Sequence, residues 1–201
     1  MSTVKLTADS GGGTVAIAGP STTTGNAALT LTLPGTASGT IATTSTAGKI
    51  LQVVSTTKTD TFSATTEDSW TDITGLSVAI TPSATSSKVL FRAMINVGTD
   101  VSAAIPGLRV LRGSTAIGIG DASNNRGRAS AAFGAAEDWL ADNVSIDVID
   151  SPSSTSELTY KVQYYKSQAS TIFFNQSYRD YDGTGYDYRY SSIVYVMEIG
   201  A

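Results

Sequence analysis

The sequence predicts an all-β protein: a run of short extended strands over residues 1–48, then a β-sandwich of the jelly-roll kind over 49–201. Three observations predict it. Apolar residues recur with a period of two in one short segment after another, Gly and Pro clusters separate the segments, and no long stretch keeps a helical period. Charged residues make up only 15% of the 201 residues. Ser, Thr, Gly and Ala fill the deficit, a mixture that suits a neutral β surface better than a helical one.

Before Lys49 the only charged residues are Lys5 and Asp9, and no aromatic residue occurs until Phe62. Val4/Leu6, Val15/Ile17, Leu29/Leu31/Leu33 and Ile41 alternate between Gly11-Gly12-Gly13, Gly19-Pro20, Pro34-Gly35 and Gly39. Each such strand has one apolar face and small side chains, too little to offset the conformational entropy of folding alone. Three copies wound together would bury those faces, so the segment reads as a trimerising or attachment element. A flexible Ser/Thr/Gly linker is the plainer alternative, and the alternation Leu29-Thr30-Leu31-Thr32-Leu33 speaks against it.

From Lys49 the strands are longer. Leu51/Val53 leads to a Thr-rich run ending at Phe62, followed by Trp70–Ile73 and Leu76–Ile80 as separate strands. Val89 to Val97 alternates most clearly, with Val89, Phe91, Ala93, Ile95 and Val97 against Leu90, Arg92, Met94 and Asn96. Further strands are expected at Leu108–Leu111, Ala116–Ile119, Val144–Ile149, Leu158–Tyr165, Thr171–Asn175 and Ser192–Ile199. Ala129–Leu140 is a weak helix candidate, undercut by Gly134. Trp70 and Trp139 are expected to plug the core or an interface. The final strand is apolar on both faces, so it is expected to be central or covered by another subunit, and a close-packed homotrimer is the simpler cover.

Composition excludes much chemistry. The chain has no Cys and no His, which removes disulfides, thiolates, the commonest zinc ligands and the usual proton shuttle and triad base. Net charge is −4 with a pI of about 4.7, and no basic run offers a phosphate backbone a footing, so nucleic acid is not an expected partner. No apolar run is long enough to span a membrane as a helix. Met1-Ser2-Thr3-Val4-Lys5 lacks the basic-then-apolar order of a signal peptide, so synthesis in a cytoplasm is expected. No catalytic residue, cofactor or metal is assigned.

Two loops are candidates for binding. All nine tyrosines lie at or after Tyr160, and the run from Tyr178 to Tyr190 is the richest. Tyr178, Arg179, Tyr181, Asp182, Tyr186, Tyr188 and Arg189 combine flat aromatic area with directed hydrogen bonds, which suits a cell-surface glycan. The alternative is a hairpin turning at Gly183 and Gly185 whose tyrosines pack on the sheet. Asp180, Asp182 and Asp187 also offer hard oxygens to Ca²⁺ but lack the bidentate Glu of an EF-hand loop. Asn124, Asn125 and Arg126 form a second polar tip, or simply a solvated connection. Carboxylate chemistry on glycans needs no His, yet Glu67, Glu137, Glu157 and Glu198 sit in no recognisable setting.

A resemblance adds to this. Thr81-Pro82-Ser83 through Ser87-Lys88-Val89-Leu90, Gly107-Leu108-Arg109-Val110-Leu111-Arg112-Gly113-Ser114, Ile149-Asp150-Ser151-Pro152 before Tyr160-Lys161-Val162-Gln163, and a closing Met197-Glu198-Ile199 resemble virion fibre proteins of bacteriophages, marine ones in particular. Val4-Lys5-Leu6-Thr7 and Leu29–Pro34 resemble tail-fibre attachment or shaft segments, and the strand rhythm of the second domain is loosely similar to tumour-necrosis-factor-like trimeric jelly rolls. The resemblance implies a homotrimeric tail- or head-fibre subunit of a virion, joined to other virion proteins through residues 1–48 and presenting its β-domain for host attachment. A capsid-decorating or adaptor protein and a glycan-degrading spike are the alternatives.

Overall fold

The computed structural model describes residues 3–7, 14–18, 48–101, 105–134, 140–167, 169–183, 185 and 187–201. The chain divides into two compact units, Met1–Thr44 and Ser45–Ala201. In the first, β1 (Thr3–Thr7) and β2 (Thr14–Ala18) pair antiparallel with Thr3 opposite Ala18 and Thr7 opposite Thr14. The predicted strands at Leu29–Leu33 and Ile41 lie outside the described residues.

The second unit is an antiparallel β-sandwich, as the alternation predicts. Its strands are β3 (Ile50–Lys58), β4 (Phe62–Ala64), β5 (Thr71–Ile80), β6 (Lys88–Thr99), β7 (Gly107–Arg112), β8 (Thr115–Ile117), β9 (Ala131–Ala132), β10 (Asp142–Asp150), β11 (Leu158–Tyr165), β12 (Ile172–Phe174) and β13 (Ser192–Ile199). One sheet runs β3-β13-β6, with β10 on the far side of β6 and β12-β4 continuing the β13-β3 columns. The other runs β5-β11-β7, with β8 and β9 both pairing β7. Strands distant in sequence thus lie side by side, the winding of a double-sheet jelly roll. No helix forms among the described residues, and Ala129–Leu140 instead contributes β9.

The core lies between the sheets. Val89, Phe91, Ala93, Ile95 and Val97 of β6 are buried, as are Val194 and Val196 of β13 beside them. Ile73, Leu76, Val78, Tyr160, Val162, Tyr164, Leu108 and Val110 face them from the second sheet. Phe91 meets Tyr160 with ring centroids 6.1 Å apart, and Phe174 meets Tyr164 at 6.2 Å.

Two expectations need correction. Trp70–Ile73 and Leu76–Ile80 are not separate strands, because β5 runs through both with a bulge: the register against β11 shifts between Lys161 and Gln163. Gly75, at φ +85°, absorbs the bulge and lets the Lys58 side chain approach to 3.5 Å of where a Cβ would stand,. The bulge also flips the side-chain phase, which is why Ile73 and Leu76 both point inward. Trp70 does not plug the core. It lies half-buried on the outside of the second sheet, covered by the Arg109 guanidinium at 4.3 Å and by Tyr165 at 5.4 Å. Trp139 lies outside the described residues.

Glu198, fully buried on β13, fastens one end of the sandwich. Its carboxylate accepts hydrogen bonds from the Ser83 backbone N–H (2.7 Å), the hydroxyls of Ser83 (2.6 Å) and Ser87 (2.7 Å), and the Gln52 amide (2.6 Å). Burial alone would raise its pKa, but these donors overcome that and hold it at about 2, against an ordinary 4.5,. A depressed carboxylate pKa adds stability above the unfolded value, and that stability fades as pH falls from about 4.5 toward 2,. Urea titrations across that window should show Glu198→Gln with a flatter pH dependence than the parent. At pH 7 the variant should lose on the order of 3 kcal/mol, since it replaces charge-assisted bonds and sets amide hydrogens against donors.

Candidate functional site

The tyrosine-rich loop leaves the first sheet between β12 and β13, at a break in the ladder. β13 pairs β6 only as far as Ile193 opposite Met94, and β12 resumes with Phe174 opposite Val97. Side chains close the interval. Asn96 N–H donates to Ser192 Oγ (3.0 Å), Asn96 Nδ2 donates to the Ser191 carbonyl (2.7 Å), and Asn175 N–H donates to the Asn96 carbonyl (3.0 Å).

Asn175 anchors both ends of the loop. Its φ of +64° lies in the left-handed region that Asn tolerates,. Its Nδ2 donates to the carbonyls of Lys58 and Asp60, each at 2.9 Å, and its Oδ1 accepts from Ser192 Oγ at 2.6 Å. Its carbonyl accepts from Tyr190 N–H at 3.1 Å.

Above this floor, two crossed ion pairs brace the loop. Arg179 pairs with Asp187 (2.6 Å), whose side chain is buried and also accepts from Ser177 Oγ (2.6 Å). Arg189 pairs with Asp180 (2.7 Å) and donates to Gln176 Oε1 (2.5 Å). Burial works to raise the Asp187 pKa, but the bonds from Ser177 and Arg179 leave it below the ordinary value.

The structure brings together most of the predicted contact residues, though not as a hairpin. No strand forms among the described residues between Asn175 and Ser191. Tyr178 packs on Phe173 with centroids 5.6 Å apart, which realises the packing reading for that residue. Tyr181 and Tyr188 are 60% and 63% exposed. With Asp180, Asp182, Gly183, Asp187 and Arg189, Tyr181 lines a polar depression of about 380 Å³. Gly183 is required beside it, because a Cβ there would stand 2.2 Å from the Tyr181 ring. Tyr186 lies outside the described residues.

Asn124, Asn125 and Arg126 stand elsewhere, exposed on the connection from β8 to β9. That turn holds itself together: Asn124 adopts φ +49°, Arg126 N–H and Nη1 donate to the Ser123 carbonyl and hydroxyl, and Arg128 Nε donates to the Gly120 carbonyl.

Among the described residues no group of three acidic side chains gathers as a metal site would need; arginines engage Asp180 and Asp187 instead. Of the glutamates, Glu198 is a structural carboxylate, Glu67 pairs with Lys166, Glu157 is exposed, and Glu137 lies outside the described residues. Sequence reasoning missed the polar paving on the outside of the second sheet. There Arg109 donates to Gln163 Oε1, while Gln163 and Lys161 both donate to Asp72 at 2.6 Å. Its signal is the polar alternation Lys161/Gln163 opposite Asp72 and Arg109.

No family model and no curated protein matches the sequence. Among solved structures, the fold is similar to the crystal structure of the infectious bursal disease virus VP2 subviral particle. The match has a TM-score of 0.35 and 13% identity, and it covers 75% of this chain and 42% of that one. This chain therefore spans less than half the length of the VP2 chain.

Asn175→Ala should lose roughly 3 kcal/mol or more in urea denaturation, because buried carbonyls and the Ser192 hydroxyl lose their partners and Ala disfavours positive φ. Asn175→Gly should recover only the backbone share of that loss.

Proposed function

We propose that this protein is a structural subunit of a virus particle, a homotrimeric bacteriophage fibre or spike whose C-terminal β-domain binds the host surface. It docks to other virion proteins through residues 1–48, and it binds its target without cleaving it. The observation that carries the reading is the braced loop. Two exposed tyrosines stand beside a polar depression, on a backbone pinned at both ends by Asn175 and crossed by two Arg–Asp pairs.

Such a surface suits a neutral or cationic glycan. Tyr rings stack on the apolar faces of sugar rings, and the free oxygens of Asp182 and Asp180 accept from sugar hydroxyls. Preorganisation limits the entropy lost on binding. The split composition supports the fibre reading: a charge-poor, aromatic-free opening of 48 residues precedes a domain that holds every aromatic residue.

Binding of the purified protein to host cells and to a glycan array tests the proposal. Tyr181→Ala and Tyr188→Ala should each weaken binding by about tenfold, the range of one lost aromatic contact, with the melting temperature unchanged. Binding equal to the parent's in both variants would remove the loop as the contact surface.

A further inference from the structure

The two outer faces of the sandwich are built for different surroundings. The second sheet turns outward the Lys161–Asp72–Gln163–Arg109 network, which suits water. On the first sheet one cross-strand row contains no polar residue. Val53 of β3, Met197 of β13, Leu90 of β6 and Ile149 of β10 stand opposite one another in register, edge to edge. Val53 and Ile149, at the two ends, are 56% and 65% exposed, and Ile50, Leu51 and Ile199 extend the patch beside Val53. Apolar surface this continuous marks a site of association.

We infer that this face packs against two further copies of the same chain around a threefold axis, an inference that rests on the trimeric reading above. Size favours a ring. Four strands about 4.8 Å apart, with eight residues at about 3.4 Å each, make a face of roughly 500 Å². That falls short of the ~800 Å² each partner gives to a standard two-body interface. In a ring the flanking strands of neighbouring copies meet as well, so each copy buries more than this face alone. Charge agrees. The row itself is uncharged, and the adjacent Arg92 and Asp147 neutralise each other by pairing. β3 carries no acidic residue and is bounded by Lys49 and Lys58, whereas β10 carries Asp142, Asp147 and Asp150. A head-to-tail ring brings the β3 side of one copy toward the β10 side of the next, opposite in sign.

The chain has no Cys, so a single introduced thiol reports its own surroundings. The test takes Ile149→Cys and, as a control on the outside of the second sheet, Thr159→Cys, each in the full chain. Mass is read by light scattering after size exclusion, and thiol accessibility by the rate of maleimide labelling. The expected result is a mass three times 20.7 kDa with Cys at 149 labelled at least tenfold more slowly than Cys at 159. Equal labelling rates in a trimer would overturn this face while leaving the trimer standing. A monomer mass would overturn both, and would assign the face to a different protein.

Discussion

The ladder along β6 is the constraint on which the rest of the sandwich depends. Twelve residues long, β6 pairs with β10 on one side and with β13 and then β12 on the other. Its inward residues are all apolar and fill the middle of the core. A strand so placed must have partners for every backbone N–H and C=O, yet no single neighbour spans its length. The chain meets this with two neighbours end to end and with Asn96, Asn175 and Ser192 completing the bonds between them. The break extends into the next column, where β3 stops at Lys58 and β4 begins at Phe62, and Asn175 Nδ2 reaches the carbonyls left there. The functional loop leaves the sheet from that place, so the polar groups that keep the ladder whole also hold the loop.

Much of the fold was legible in the sequence because it depends on local alternation. Leu158–Tyr165 and Ser192–Ile199 form strands with the expected limits, and the inward set of Val89, Phe91, Ala93, Ile95 and Val97 is the set that is buried. What was not legible depends on contacts between distant residues. Gly75 reads as a turn in sequence and serves as a bulge, because only the register against β11 distinguishes the two. The final strand's two apolar faces were read as one requirement. In the structure they separate: its place between β3 and β6 is settled within the chain, Val194 and Val196 enter the core, and Ile193, Tyr195, Met197 and Ile199 lie half-buried on the outside.

The candidate site was legible in composition but not in geometry. A run rich in Tyr, Arg and Asp between strands announces a contact surface, yet its spacing fits a hairpin equally well. The decision comes from Arg179 meeting Asp187 and Arg189 meeting Asp180, pairings that cross within the loop and have no periodic signature. Asn175 is the residue that sequence reasoning had least reason to weigh. Its role needs a positive φ, two carbonyls from another strand's end and a serine after the loop, none of which can be seen along the chain.

Because the plug at the break is made by residues that flank the loop, the residues between Ser177 and Tyr190 are free of any duty to the sheet. Their sequence can drift, lengthen or be replaced while the frame stays intact. A particle whose target changes its coat can therefore alter its specificity by rewriting one short segment, and the same independence makes this domain a natural scaffold for grafting foreign peptides.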